Sequence, residues 1–193
     1  MNFCNHCGSP VRIAVPDGDN RPRHVCTAGD CGRVHYENPN IVAGCLVEHG
    51  ERLLLCRRAI EPRYGLWTLP AGFLENGESV EEGARRETRE EATAEVEILQ
   101  LYSMFSLTHI NQVYMLFRAR LHEGGYSAGE ESLDVRLFDE SEIPWQQIAF
   151  PVIHQTLRHY FEDRRNGEFR THIGSVRAIG DGPQRRIRVE MLS

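Results

Sequence analysis

The feature that most constrains this chain is the spacing of three glutamates. Glu87, Glu90 and Glu91 stand at i, i+3 and i+4 within SVEEGARRETREEAT. At 3.6 residues per turn, that spacing sets all three carboxylates on one face of a helix. Like charges so arranged destabilise an isolated helix by roughly 0.2–0.5 kcal/mol per pair. A divalent cation is the natural compensator, and Mg²⁺ fits because it takes oxygen ligands and bridges to phosphate oxygens. Ser79 followed by Glu82 is a capping box that starts the helix. Upstream, Pro62, Gly65, Pro70 and Gly72 mark a loop leading into it.

The residues before this region have a different character. Residues 1–38 lack long apolar runs and are rich in Cys, His, Gly, Pro and Asp, so they cannot build much of a core alone. Cys4 and Cys7 form C-x2-C, and Cys26 and Cys31 form C-x4-C. Four thiolates at such spacing suit a closed tetrahedral Zn²⁺ site, which would be structural and have no open position for catalysis. The second pair is wider than usual, so His6, His24 or His35 could replace a ligand. Cys45 and Cys56 sit in apolar runs and read as small core residues.

From Ile41 onward the pattern is that of a folded domain. IVAGCLVEH and RLLLCRRAI predict a hairpin turning at Gly50 and Glu51. VEILQLYSMFSL, QVYMLFRARL and LDVRLF predict further strands. Pro151 opens an amphipathic helix with Val152, Leu157 and Phe161 on its inner face. The expected division is residues 1–38, 39–173 and a terminal 174–193 that is either a tail or a hairpin around GDGP. No apolar run approaches the length of a membrane span. The opening MNFCNHCGSP lacks a secretory pattern, which points to a reducing, cytoplasmic setting. A net charge of −6 argues against a broad nucleic-acid footprint and leaves small phosphorylated compounds open. The complete absence of lysine among the 22 basic residues reflects genome composition rather than chemistry.

Residues 72–94 resemble the Nudix box, G-x5-E-x7-R-E-U-x-E-E-x-G-U with U aliphatic: Gly72, Glu78, Arg86, Glu87, Glu90 and Glu91 all fall in place. Thr88 stands at an aliphatic position and Thr93 replaces the second glycine. A charge run ordinarily means a solvated helix face, but six residues at fixed offsets favour the motif. The resemblance implies an α/β fold, specifically an α/β/α sandwich with a mixed β-sheet, preceded by a small zinc ribbon. It further implies that Glu87, Glu90, Glu91 and Gly72 hold Mg²⁺ or Mn²⁺, and that Arg86 pairs with Glu78 to keep the element in shape. Glu131, in the loop GEESLD, is the candidate general base. Its alternative reading is an exposed loop carboxylate.

A zinc ribbon joined to a Nudix domain resembles two groups. The NADH pyrophosphatases carry a motif close to SQPWPFP after the box. Residues 102–117, YSMFSLTHINQVYMLF, have neither its Gln-Pro nor its Trp. The plant chloroplast FAD pyrophosphatase and its bacterial relatives are similar over FCNHCG, PDG, NPNIVAGCLVEH, GLWTLPAGFLENGES, ESLDVRLF and EIPWQQIAF. That likeness implies metal-dependent hydrolysis of FAD to AMP and FMN, or of ADP-ribose, and a homodimer. The alternatives are NADH or NAD-cap hydrolysis and a non-catalytic ligand sensor with nucleic-acid contacts. Arg58, and after it Arg57 and Arg63, are candidates for substrate phosphates. Trp67 and Tyr114, with Tyr64, Tyr102 and Phe105, are candidates for stacking on a planar ring, although most of them are expected to pack in the core.

Overall fold

The computed structural model describes residues 1–180 and 186–192, and they fall into two compact units, Met1–Asn38 and Pro39–Ser193. In the first unit, β1 (Val11–Ala14), β2 (Arg23–Cys26) and β3 (Val34–His35) form a three-stranded antiparallel sheet. Its cysteines Cys4 and Cys26 are buried.

Among the described residues, the second unit is built on nine strands and two α-helices. These are β4 (Asn40–His49), β5 (Arg52–Arg58), β6 (Trp67–Thr68), β7 (Ala71–Phe73), α1 (Val80–Ala92), β8 (Val96–Leu107), β9 (Gln112–Leu121) and β10 (Ser132–Phe138), followed by α2 (Pro151–Asn166), β11 (His172–Ile179) and β12 (Arg186–Met191). The sheet runs β10-β5-β4-β9-β8-β11-β12, with β6 added to β5 and β7 to β4. It is mixed: β4 with β9 and β8 with β11 are parallel, and the other pairs are antiparallel.

Strand periodicity builds the layers. Along β5, Leu53 and Leu55 enter one core while Leu54 and Cys56 enter the other. Along β4, Leu46 joins the first, and Ala43, Cys45 and Val47 join the second. Strands buried on both faces need an unbroken apolar run, which is why both segments read as continuous rather than alternating. α2 covers the first face with Val152, Ile153, Leu157, Tyr160 and Phe161, and α1 covers the second with Ala84 and Ala92. The result is the expected α/β/α sandwich.

Local signals set the element ends. Gly50 takes a φ of +61° in the two-residue turn between His49 and Arg52, which pair directly. Ser79 caps α1: its Oγ accepts the Glu82 N–H at 3.2 Å, and Glu82 Oε2 accepts the Ser79 N–H at 2.7 Å. α2 begins at Pro151 and ends at Gly167, which is left-handed. Inside α2, Asp163 is buried and accepts hydrogen bonds from Tyr102 on β8 at 2.9 Å and His172 on β11 at 2.8 Å. Burial alone would raise its carboxyl, but these donors outweigh burial and hold it below the ordinary range. Asp163 thereby ties the helix to two strands of the sheet.

The expected boundary at residue 173 falls inside β11. This strand pairs in parallel with β8 and then with β12, where Val176 faces Val189 and Ala178 faces Ile187. Residues 174–179 and 186–191 are thus part of the main sheet rather than a separate tail, because β8 offers β11 a ladder that only the folded chain supplies. The GDGP turn lies largely in residues 181–185, outside the described residues.

α1 stops at Thr93, which takes a left-handed conformation with φ 50° and ψ 32° and gives its N–H to the Arg89 carbonyl. The chain therefore makes the turn that a glycine would make, with a β-branched residue for which that region is costly. Thr93→Gly is expected to stabilise the fold by about 1 kcal/mol and raise the melting temperature by roughly 2–4 °C, checked by calorimetry.

Candidate active site

The site is assembled where β7, α1 and the loop before β10 meet. Gly72 on β7 lies against the helix: a Cβ there would stand 2.4 Å from the Glu87 carboxylate. Only glycine leaves Glu87 its place, which explains a glycine at this offset from the helix. At the other end of α1, Gly129 donates its N–H to the Glu91 carbonyl at 3.0 Å, and Ser127 donates to the Ala92 carbonyl at 2.9 Å. Both satisfy carbonyls that a helix end leaves open. A Cβ on Gly129 would overlap the Glu90 carbonyl at 1.7 Å. The close approach of this loop brings Glu130 and Glu131 to the site, and the Ala59 N–H holds the Glu131 carbonyl at 2.8 Å. The role of Gly129 was not read from the sequence, although its signal was the glycine that opens GEESLD.

Arg86 organises the acidic residues. Its Nε and Nη2 grip the Glu78 carboxylate at 3.1 and 2.7 Å, and Nη2 also donates to the Phe73 carbonyl at 3.0 Å. Its Nη1 donates to Glu87 at 2.7 Å and Glu90 at 3.0 Å. The implied Arg86–Glu78 pair is thus one part of a larger cluster. The glutamates differ sharply in environment. Glu90 is exposed, Glu87 is mostly enclosed and Glu91 is buried. Glu91 is pushed up to about 8, first by burial and then by the charge of Glu87, with Arg58 opposing. Its Oε2 has no hydrogen-bond partner among the described residues. Glu87 is also raised, again first by burial, with Arg86 opposing.

A buried, unpartnered carboxylate oxygen repelled by a second carboxylate is expensive unless a cation shares the site. Hard oxygen donors of this kind suit Mg²⁺ or Mn²⁺, so the residues present fit a divalent ion.

These glutamates line a cavity of about 1060 Å³, at the upper end for small-molecule sites. Arg58, Arg63, Tyr114, Phe150, Glu130 and Glu131 line it as well. Arg58 stands with its guanidinium carbon 5.2 Å from the centre of the Phe150 ring, and its Nε donates to the Pro62 carbonyl at 2.9 Å. Tyr114 is partly buried, and burial raises its phenol. Trp67 does not reach the cavity. It is 6% exposed and packs edge-on against Phe138 at 4.9 Å, because the β6–β5–β10 pairing turns it into the core. Tyr102 and Phe105 are likewise core, Tyr64 is exposed away from the cavity, and Arg57 is turned to the Gly65 carbonyl.

In the N-terminal unit, the Sγ atoms of Cys4, Cys7, Cys26 and Cys31 lie within 4.8 Å of one another. Cys7 and Cys26 are 3.5 Å apart, and Cys4 and Cys31 3.9 Å. Among the described residues this group consists of the cysteines alone, and His6, His24 and His35 do not join it. Cys7 is lowered to about 6, chiefly by a backbone hydrogen bond at Ser9. Cys26 is raised to about 12: the Ala28 backbone pulls it down, but burial and the neighbouring thiols outweigh that. Crowded thiols cannot all ionise without a cation, so this cluster too fits a bound metal. Among the described residues the three glutamates do not form such a close group: Glu90 is exposed and paired with Arg86, whereas Glu91 is buried.

An acidic helix face and a cavity lined by residues of both helices suit a phosphorylated ligand beside a cation. The chain belongs to the Nudix hydrolase family: the NUDIX domain matches residues 38–162, and the zinc-ribbon module described as Nudix N-terminal matches residues 2–37. A crystal structure of a NUDIX hydrolase from Nitrosomonas europaea superposes with a TM-score of 0.87 at 52% identity, covering 91% of this chain and 98% of that one. The NAD-capped RNA hydrolase NudC of Chromobacterium violaceum is 31% identical over 160 residues, 81% of this chain and 57% of NudC. The ADP-ribose pyrophosphatase of Methanocaldococcus jannaschii is 28% identical over 121 residues, 60% of this chain and 69% of that protein. The chain thus spans little more than half the length of the NudC relative. No helix among the described residues is long and apolar enough to cross a membrane.

The Arg86–Glu78 pair carries a pH signature. Glu78 is held at about 2 against an ordinary 4.5, first by the Arg86 hydrogen bond and then by the Glu75 backbone N–H. A depressed carboxyl contributes stability above its unfolded value and loses it as the pH falls. Wild type is therefore expected to resist urea better than Glu78→Gln at pH 7, with the gap closing between about pH 4.5 and pH 2. An unchanging gap across that window would refute the assignment.

Proposed function

We propose that this chain is a divalent-metal-dependent pyrophosphatase that cuts the diphosphate of an ADP-containing compound, releasing AMP. The observation that carries this reading is the Glu91 carboxylate, buried and unpartnered at Oε2, in a cavity that also holds Glu87, Arg58 and Tyr114. Glu87, Glu90 and Glu91 would hold Mg²⁺ or Mn²⁺. When bound, such ions supply Lewis-acid polarisation of the phosphoryl oxygens and offset charge on the leaving phosphate.

The chain's own groups account for the remaining steps. Arg58 places a fixed positive charge in the cavity for the substrate phosphates. Glu131 accepts a proton from the attacking water. It reaches the cavity from a loop and has the exposure a base needs for exchanging that proton with solvent. Tyr114 offers a ring face to a planar base. Arg86 acts indirectly, by orienting Glu87 and Glu90.

Two substrate readings remain, and each rests on its own observation. The phrases shared with the FAD pyrophosphatase group favour FAD, cut to AMP and FMN, with ADP-ribose as the second substrate. The likeness to the NAD-capped RNA hydrolase NudC and to an ADP-ribose pyrophosphatase favours an NAD-derived compound or ADP-ribose at least as well. A small molecule is preferred over RNA because residues 1–38 carry four arginines against four acidic residues, with no dense basic stripe along the sequence.

Release of AMP from FAD, ADP-ribose, NADH and diadenosine polyphosphates with Mg²⁺ or Mn²⁺ tests the proposal. Turnover is expected on at least one compound, lost by more than about 100-fold in Glu90→Gln and reduced by about 100-fold in Glu131→Gln, the usual scale for a general base. Near-full activity in Glu131→Gln would remove it from the mechanism. Zinc in the cysteine cluster is a separate reading: metal analysis should find one Zn²⁺ per chain, and chelation should unfold residues 1–38. Freshly purified protein without zinc would exclude it.

A further inference from the structure

Three large aliphatic side chains that the fold does not bury converge on the same cavity. Ile60, in the loop after β5, is 39% exposed. Ile110, in the turn between β8 and β9, is 49% exposed, and Ile187, on β12, is 43% exposed. All three line the cavity that holds the glutamates. A single exposed isoleucine needs no explanation, but three drawn from distant segments into one concave site do.

The segments that carry two of them are joined to each other. Val176 on β11 faces Leu107 at the end of β8, and across the hairpin it faces Val189 on β12. Its carbonyl accepts the Thr108 N–H at 3.3 Å and lies 3.3 Å from His109 Nδ1. The turn bearing Ile110 is therefore fixed to the hairpin bearing Ile187. That hairpin lies beyond residue 162, where the match to the NUDIX domain ends.

Resting on the pyrophosphatase reading above, we infer that Ile60, Ile110 and Ile187 form an apolar seat for a planar heterocyclic ring of the substrate, delivered in part by the β11–β12 hairpin. Isoleucine has no donor or acceptor with which to read the edge of a base. It offers dispersion contact to a ring face and loses its own exposed surface when a ring covers it. Such a seat selects for a flat apolar face without distinguishing one heterocycle from another. In a dinucleotide that ring is either the adenine or the ring of the second half.

Steady-state kinetics with FAD and ADP-ribose separate these sources, using full-length Ile110→Ser and Ile187→Ser. Ile179→Ser is the control, since Ile179 is 45% exposed on the same hairpin but does not line the cavity. KM is expected to rise about tenfold with kcat little changed, the scale of one large aliphatic contact. A rise confined to FAD assigns the seat to the flavin ring, and a rise with both substrates assigns it to adenine. Unchanged KM in both variants overturns the inference, as does an equal rise in Ile179→Ser. If the wild type turns over neither compound, FAD and ADP-ribose are excluded as its substrates, and equilibrium titration with FMN and AMP then decides the seat independently of turnover. Binding about tenfold weaker in the Ile110 and Ile187 variants supports it. Unchanged binding, or no binding of either ligand to the wild type, overturns it.

Discussion

The arrangement of the site depends on the guanidinium of Arg86. One planar fork reaches the Phe73 carbonyl, the Glu78 carboxylate at the start of the helix, and Glu87 and Glu90 along it. Arginine suits this position because its donors are rigid and permanently charged. A lysine would supply one point of attraction and leave the loop, the helix and the acidic face to find separate partners. With Arg86 in place, negative charge can be concentrated on one helix without driving its turns apart.

The charge that Arg86 leaves unmatched lies deeper, at Glu91. There, burial and Glu87 raise the carboxyl toward neutrality, and no hydrogen bond reaches Oε2. A fold optimised only for stability would place an apolar residue at that position. The sandwich can carry this cost because β4 and β5 are buried on both faces, giving two cores rather than one. Both helical layers contribute to the cavity wall: Glu87, Glu90 and Glu91 come from α1, and Pro151 and Val152 from α2.

Much of this organisation was legible along the chain. The capping box at Ser79, the two-residue turn at Gly50, the strand limits of β8 and β9 and the buried face of α2 all follow from spacing alone, since each depends on neighbours within a few residues. The aromatic candidates were less legible. Trp67 and Tyr114 both sit in apolar, strand-like surroundings, yet one packs on Phe138 and the other lines the cavity. Periodicity names the face of a strand that a side chain occupies but says nothing about what lies across from that face.

The sequence by itself determined the elements and the chemistry they carry: an acidic helix with its cap, a cysteine pattern at metal-ligand spacing, and strands apolar enough to be enclosed. Only the tertiary structure decided which elements adjoin. It placed Gly129 against the helix end, set β11 in parallel beside β8, and brought Ile60, Ile110 and Ile187 to one cavity. The physical reason is the range of the interactions. Caps, turns and helical faces are set by hydrogen bonds and sterics between near neighbours, whereas strand order and cavity walls arise from pairings across tens of residues, whose partners no local pattern specifies.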